Sequence, residues 1–145
     1  MNTTSSFIQI EQEDYICEIC KKYPDSHSFY KIKETNDGVS VFYTCPAKAK
    51  LHDDYDGILN HYNGMLQNNG NKPWIWIFDA KGFSIKHAME VNISIAIAKL
   101  ISSKPYSDNL QKIIIANPTW HINTTLKIIM PFLGENVKNK IHKAK

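Results

Sequence analysis

The chain has 145 residues, 43% of them hydrophobic and 21% charged, with a formal net charge of +3. That size predicts one domain with one core. No apolar run reaches the ~18 residues of a membrane span, and residues 1–6 lack the basic-then-apolar profile of a signal peptide. All 17 basic residues are lysines, so the bidentate arginine forks that read phosphate and guanine are missing, which argues against nucleic acid as a partner.

Along the chain, residues 1–6 read as a disordered tail and 7–145 as a single domain. Phe7 to Lys22 fits a short strand followed by a helical turn, and Tyr23-Pro24-Asp25-Ser26 is a turn signal. Phe29 to Lys33 and Val39 to Thr44 alternate apolar and polar residues around Asn36-Asp37-Gly38, which predicts a hairpin. Asp53, Asp54 and Asp56 precede apolar positions Ile58, Leu59, Tyr62, Met65 and Leu66 at helical spacing; acids suit the positive N-terminal end of a helix. Trp74 to Phe78 is a continuous apolar run of strand length, the mark of a central strand covered on both faces.

Ser84 to Ser103 is too long for a strand and carries Met89, Ile93, Ala96, Ile97, Leu100 and Ile101 on one helical face. It predicts a 20-residue helix capped by Ser84. With the second apolar strand, Leu110 to Ala116, this makes a right-handed βαβ unit with parallel strands. A last helix is expected from about Ile122 towards Ile141, kinked or restarted at Pro131. Lys138, Lys140, Lys143 and Lys145 then cluster at its end, either as a solvated face or as a contact for anionic headgroups.

Three cysteines, an odd number, suit free thiols in a reducing compartment. Cys17 and Cys20 have C-x-x-C spacing, and His27 with Cys45 would complete a Cys3His zinc site. A second close ligand pair is missing and the six histidines are scattered, so plain thiols are the favoured reading and no metal or cofactor is assigned. Asp79 ends the central strand, where a carboxylate satisfying backbone donors at a turn explains it. No nucleophile–base order and no Gly-rich phosphate loop stands out, so no enzyme is expected.

Four stretches from Pro73 to Ile141 carry a resemblance: Trp76-Ile77-Phe78-Asp79-Ala80-Lys81-Gly82-Phe83-Ser84, the long amphipathic helix, Lys112 to Trp120 with its Asn117-Pro118 turn, and Leu126 to Leu133. In order and spacing this region resembles the CRAL-TRIO lipid-binding domain. The resemblance implies an α/β fold: a mixed β-sheet with helices on one face and, on the other, a hydrophobic cavity closed by a gate helix. Carried over by position, Trp74, Trp76, Phe78, Ile113 and Ile115 line the cavity. Leu126, Ile129 and Phe132 belong to the gate, and Asp108 and Lys140 stand where phosphoinositide-binding members hold the headgroup. The chain departs from the family at Ser107-Asp108-Asn109 and Met130, and it reads as a short or C-terminally truncated member with an open sheet edge.

These residues set out two readings. The first is a cytoplasmic protein, peripheral at anionic membranes, that takes one lipid or lipid-like molecule into the cavity and exchanges it by opening the gate. The alternative is a protein-interaction scaffold of the same fold, its cavity collapsed and its open edge meeting a partner or a second copy.

Overall fold

The computed structural model describes residues 15–144. A five-stranded sheet of order β1-β2-β3-β4-β5 organises it. The first elements are α1 (Glu18–Lys22), β1 (Tyr30–Glu34) and β2 (Ser40–Thr44), followed by α2 (Tyr55–Asn69) and β3 (Trp74–Asp79). Next come α3 (Ile85–Ala88), α4 (Val91–Ser102), α5 (Tyr106–Asn109) and β4 (Leu110–Ala116). The chain continues through α6 (Trp120–Ile129), a 3-10 turn at Met130–Phe132, α7 (Glu135–Lys138) and β5 (Ile141–Lys143). The hairpin β1–β2 is antiparallel and every later pairing is parallel, so the sheet is mixed as expected.

Local chemistry explains most of these boundaries. Asp54 caps α2 by accepting the Gly57 N–H at 3.3 Å, and Gly70, at φ 65°, ends the helix in a conformation that costs glycine little. Asp79 is held as a turn carboxylate: it accepts from the Tyr43 hydroxyl (2.6 Å), the Asn117 side chain (2.9 Å) and the Lys81 N–H (3.0 Å). Burial pushes its pKa up, but the bonds from Asn117, Tyr43 and Lys81 outweigh that and hold it below the usual carboxylate value. One side chain thereby ties together the ends of β2, β3 and β4.

Successive parallel strands joined by crossovers of one hand place their helices on one face. Ile58, Tyr62 and Leu66 of α2, Ile93, Ala98 and Ile101 of α4, and Ile122 and Leu126 of α6 share a core cluster with Phe42, Trp74, Trp76, Ile113 and Ile115 of the sheet. The helix after the Asn-Pro turn therefore lies on the same face as the crossover helices, and does not close a cavity on the opposite one. On the opposite face Tyr43, Ile75, Ile77 and Ile114 remain half-buried, outside that cluster.

Two further expectations change, and another lies mostly outside the described residues. The strand expected after Phe7 falls largely on residues 1–14, outside the described residues; the helical turn that follows is α1. The single helix from Ser84 is two, α3 and α4, with a corner at Met89–Glu90 that no Pro or Gly announces. The last helix does not reach Ile141. Pro131 cannot continue the α-helical bonding and forces the 3-10 turn, and Ile141–Lys143 adds a fifth strand by pairing with Ile113–Ile115. The described lysines there, Lys138, Lys140 and Lys143, share no helical face. Lys138 pairs with Glu135 (3.1 Å), Lys140 donates to the Ser107 carbonyl (3.0 Å), and Lys143 sits on β5.

Candidate functional site

Between the sheet and the α4–α6 pair lies a cavity of about 70 Å³. Trp76 and Phe78 of β3 and Ile113 and Ile115 of β4 form its floor. Ile97, Ala98 and Ile101 of α4 wall one side, and Ile122, Leu126 and Ile129 of α6 wall the other; Leu133 and Ile141 close the end. The register puts Trp76 beside Ile113 and Phe78 beside Ile115, so the alternating side chains of two parallel strands make one apolar surface.

Among the described lining residues, Ser94 and Thr125 carry hydroxyls, and Trp76 carries an indole N–H. Thr125 is buried, and its Oγ1 has no hydrogen-bond partner among the described residues. Buried hydroxyls are normally bonded, and leaving one unpaired in a site like this costs about 1–3 kcal/mol.

A second cavity of about 80 Å³ adjoins the first, and Phe78, Phe83, Ser94 and Ile97 line both. Its far wall is polar, with His27, His52, His87 and Glu90. Burial pushes the His87 imidazole down, and the nearby His52 and Lys86 push the same way. The neutral ring accepts the Ser84 N–H through Nδ1 at 3.1 Å, which fastens the start of α3.

Six of the eight residues expected in the cavity line it: Trp76, Phe78, Ile113, Ile115, Leu126 and Ile129. Trp74 does not. It is buried deeper in the core, its indole N–H fixed on the Tyr106 carbonyl at 3.0 Å. Phe132 lies on the outside of the 3-10 turn, with the Lys99 ammonium 5.3 Å from its ring. Trp76 faces the cavity but is also tethered, donating to Thr44 Oγ1 at 2.9 Å. Asp108 is exposed on α5 next to Ser107, whose carbonyl receives Lys140; the two headgroup candidates thus meet at one corner, away from the cavity lining.

Sequence reading missed Phe83, Ser94, Ile97, Ile122 and Thr125. Ile97 and Ile122 carried a helical apolar signal, whereas nothing local marks Phe83 or Thr125 as cavity residues. At the other end of the sheet, Cys17, Cys20 and His27 come together, but Cys45 is elsewhere, its thiol facing the Lys81 carbonyl at 3.6 Å. The fourth member of that cluster is His61 of α2.

Comparison with known proteins places this architecture. The family model described as the CRAL/TRIO domain matches residues 26–145. The crystal structure of Sfh5 superposes with a TM-score of 0.66 at 14% identity, covering 89% of this chain and 51% of that one. The chain thus spans about half the length of that protein, and at this identity the likeness speaks for the fold alone. No match is found among curated proteins.

Proposed function

Because the chain belongs to the CRAL/TRIO domain family, we propose that it binds one lipid-like molecule between its sheet and α6 and exchanges it when α6 swings outward. The observation that carries this reading is the composition of the cavity wall. Four elements converge on an apolar lining that, among the described residues, holds no carboxylate, no imidazole and no thiol, which suits binding more than acid–base chemistry. The unpartnered Thr125 hydroxyl favours a ligand with one polar group on an apolar body.

Ligand cavities usually measure about 300–1,000 Å³, far more than the 70 and 80 Å³ found here. Uptake therefore requires movement, and α6 is the element free to supply it. It rests on the core through three buried residues, Ile122, Thr125 and Leu126. Its outer side and the 3-10 turn after it expose Trp120, Ile128 and Phe132, side chains suited to a membrane interface. Each methylene drawn from water into the opened site gains about 0.8 kcal/mol, which works against the cost of opening.

The small closed volume also favours a second reading, a scaffold of the same fold whose cavity stays collapsed around Trp76 and Phe78. Native mass spectrometry of the full chain purified from cells, followed by transfer of a fluorescent lipid between vesicles, separates the two. Lipid binding predicts a co-purifying adduct or uptake from vesicles. A protein that carries no adduct and takes up no lipid at any vesicle composition rejects it in favour of the scaffold.

A further inference from the structure

Four side chains outside the apolar cavity converge on one point. Cys17 and Cys20 flank the start of α1, His27 lies in the loop that follows, and His61 reaches in from α2. Their sulfur and ring-nitrogen atoms all lie within 4.8 Å of one another. From this convergence we infer that the protein holds a structural zinc ion at a Cys2His2 site made by Cys17, Cys20, His27 and His61.

Three of the sulfur–nitrogen separations match the edges of a zinc tetrahedron. Zinc bonds of ~2.3 Å to sulfur and ~2.0–2.1 Å to imidazole nitrogen put neighbouring sulfur and nitrogen ligands roughly 3.6 Å apart. The corresponding separations are 3.5 Å (Cys17 to His27), 3.6 Å (Cys20 to His27) and 3.8 Å (Cys20 to His61). In each histidine it is Nδ1 that faces the sulfurs.

The outer contacts fix that orientation. His27 Nε2 donates to the Asp54 carboxylate at 2.9 Å, and His61 Nε2 donates to the Phe29 carbonyl at 2.7 Å. With the proton held on Nε2, each Nδ1 presents its lone pair inward, the arrangement by which carboxylates and carbonyls orient metal-bound histidines. Cys17 accepts the Cys20 N–H on its sulfur at 3.3 Å, a bond that supports a thiolate. Two thiolates neutralise one divalent ion; their two protons leave to solvent on binding.

A thiol nucleophile is a poorer account. The His27 side chain has no exposed surface, and a Cys17–His27 pair acting alone gives His61, 3.8 Å from the Cys20 sulfur, no role. Four protein ligands, three of them buried, describe a closed structural site. The ion would clamp the segment before β1 onto α2, and because His27 also lines the 80 Å³ cavity, it would stiffen that wall.

Elemental analysis of the full, untagged chain grown with zinc, coupled to cobalt(II) titration, tests this. The expected result is one zinc per chain and, on cobalt substitution, the visible spectrum of a tetrahedral site with thiolate ligands. Cys20→Ser and His61→Ala should lose stoichiometric metal, whereas Cys45→Ser should keep it. Asp54→Asn retains a good helix cap but should bind zinc about 10–100-fold more weakly. Reduced wild-type protein that takes up neither metal in stoichiometric amount overturns the proposal, even if the ligand variants fail to fold. So does loss of metal from Cys45→Ser equal to that from Cys20→Ser, or a Cys17–Cys20 disulfide that zinc does not prevent.

Discussion

The rings of Phe78 and Phe83 lie 6.2 Å apart, tilted by 59°, and both side chains line both cavities beneath α4. They are the wall between an apolar chamber and one with a polar rim. Phe78 is fixed by the β3 ladder. Phe83 follows Gly82, at φ 80°, in the turn between β3 and α3, outside the ladder.

Truncating that wall should enlarge the site. Phe83→Ala is expected to cost about 3–5 kcal/mol of stability, as for a large aromatic removed from a core, and to increase affinity for a fluorescent fatty acid. Urea unfolding and ligand titration measure the two effects. A large loss of stability with no gain in binding would show that the chambers do not join to form the ligand site.

Thr125 offers the converse. Thr125→Val keeps the shape and removes the unpartnered hydroxyl, so stability should rise by about 1–3 kcal/mol. Under the lipid reading, affinity should fall for an amphiphile with a polar head and hold for a pure hydrocarbon. Equal affinities for both before and after the change would remove Thr125 from the recognition scheme.

Acid should loosen the start of α3. The His87 pKa is depressed in the folded protein, so between that value and about 6.5 the unfolded chain binds more protons than the folded one. Its contribution to stability is present above about pH 6.5 and is lost as pH falls, when protonated Nδ1 can no longer accept the Ser84 N–H. The urea midpoint should drop from about pH 7.5 to about pH 5.5, and His87→Gln should flatten that drop. An identical pH profile in the variant would assign the acid sensitivity to another group.

Charge reversal at the α5–β5 corner probes membrane contact. Lys140→Glu removes the ammonium from the Ser107 carbonyl and places a second carboxylate beside Asp108. A lysine near an anionic surface is worth about 1 kcal/mol, so binding to anionic vesicles should weaken several-fold while binding to neutral vesicles is unchanged. Co-sedimentation measures both. Equal losses on the two vesicle types would mean that Lys140 serves the fold.

Much of this molecule was legible in local pattern. Alternation named the hairpin, the apolar run named β3, and the i, i+3, i+4 spacing named α2, because each is a property of residues within one turn or one strand. The family resemblance, not local pattern, supplied the expectation that Trp76, Phe78, Ile113, Ile115, Leu126 and Ile129 line a cavity; within the parallel β3–β4 pair the register keeps alternate side chains on one face. Trp74 shared that face, yet its indole is taken up by the Tyr106 carbonyl 32 positions away. The corner at Met89–Glu90 and the strand Ile141–Lys143 were likewise invisible, because a three-residue strand exists only through its partner in β4. His61 is the sharpest case. In the sequence it is one scattered histidine on a helix face; in the fold it stands 3.8 Å from a thiol 41 positions earlier. Short-range periodicity determined the elements, and only their packing decided which distant polar atoms face one another and how much space is left between them.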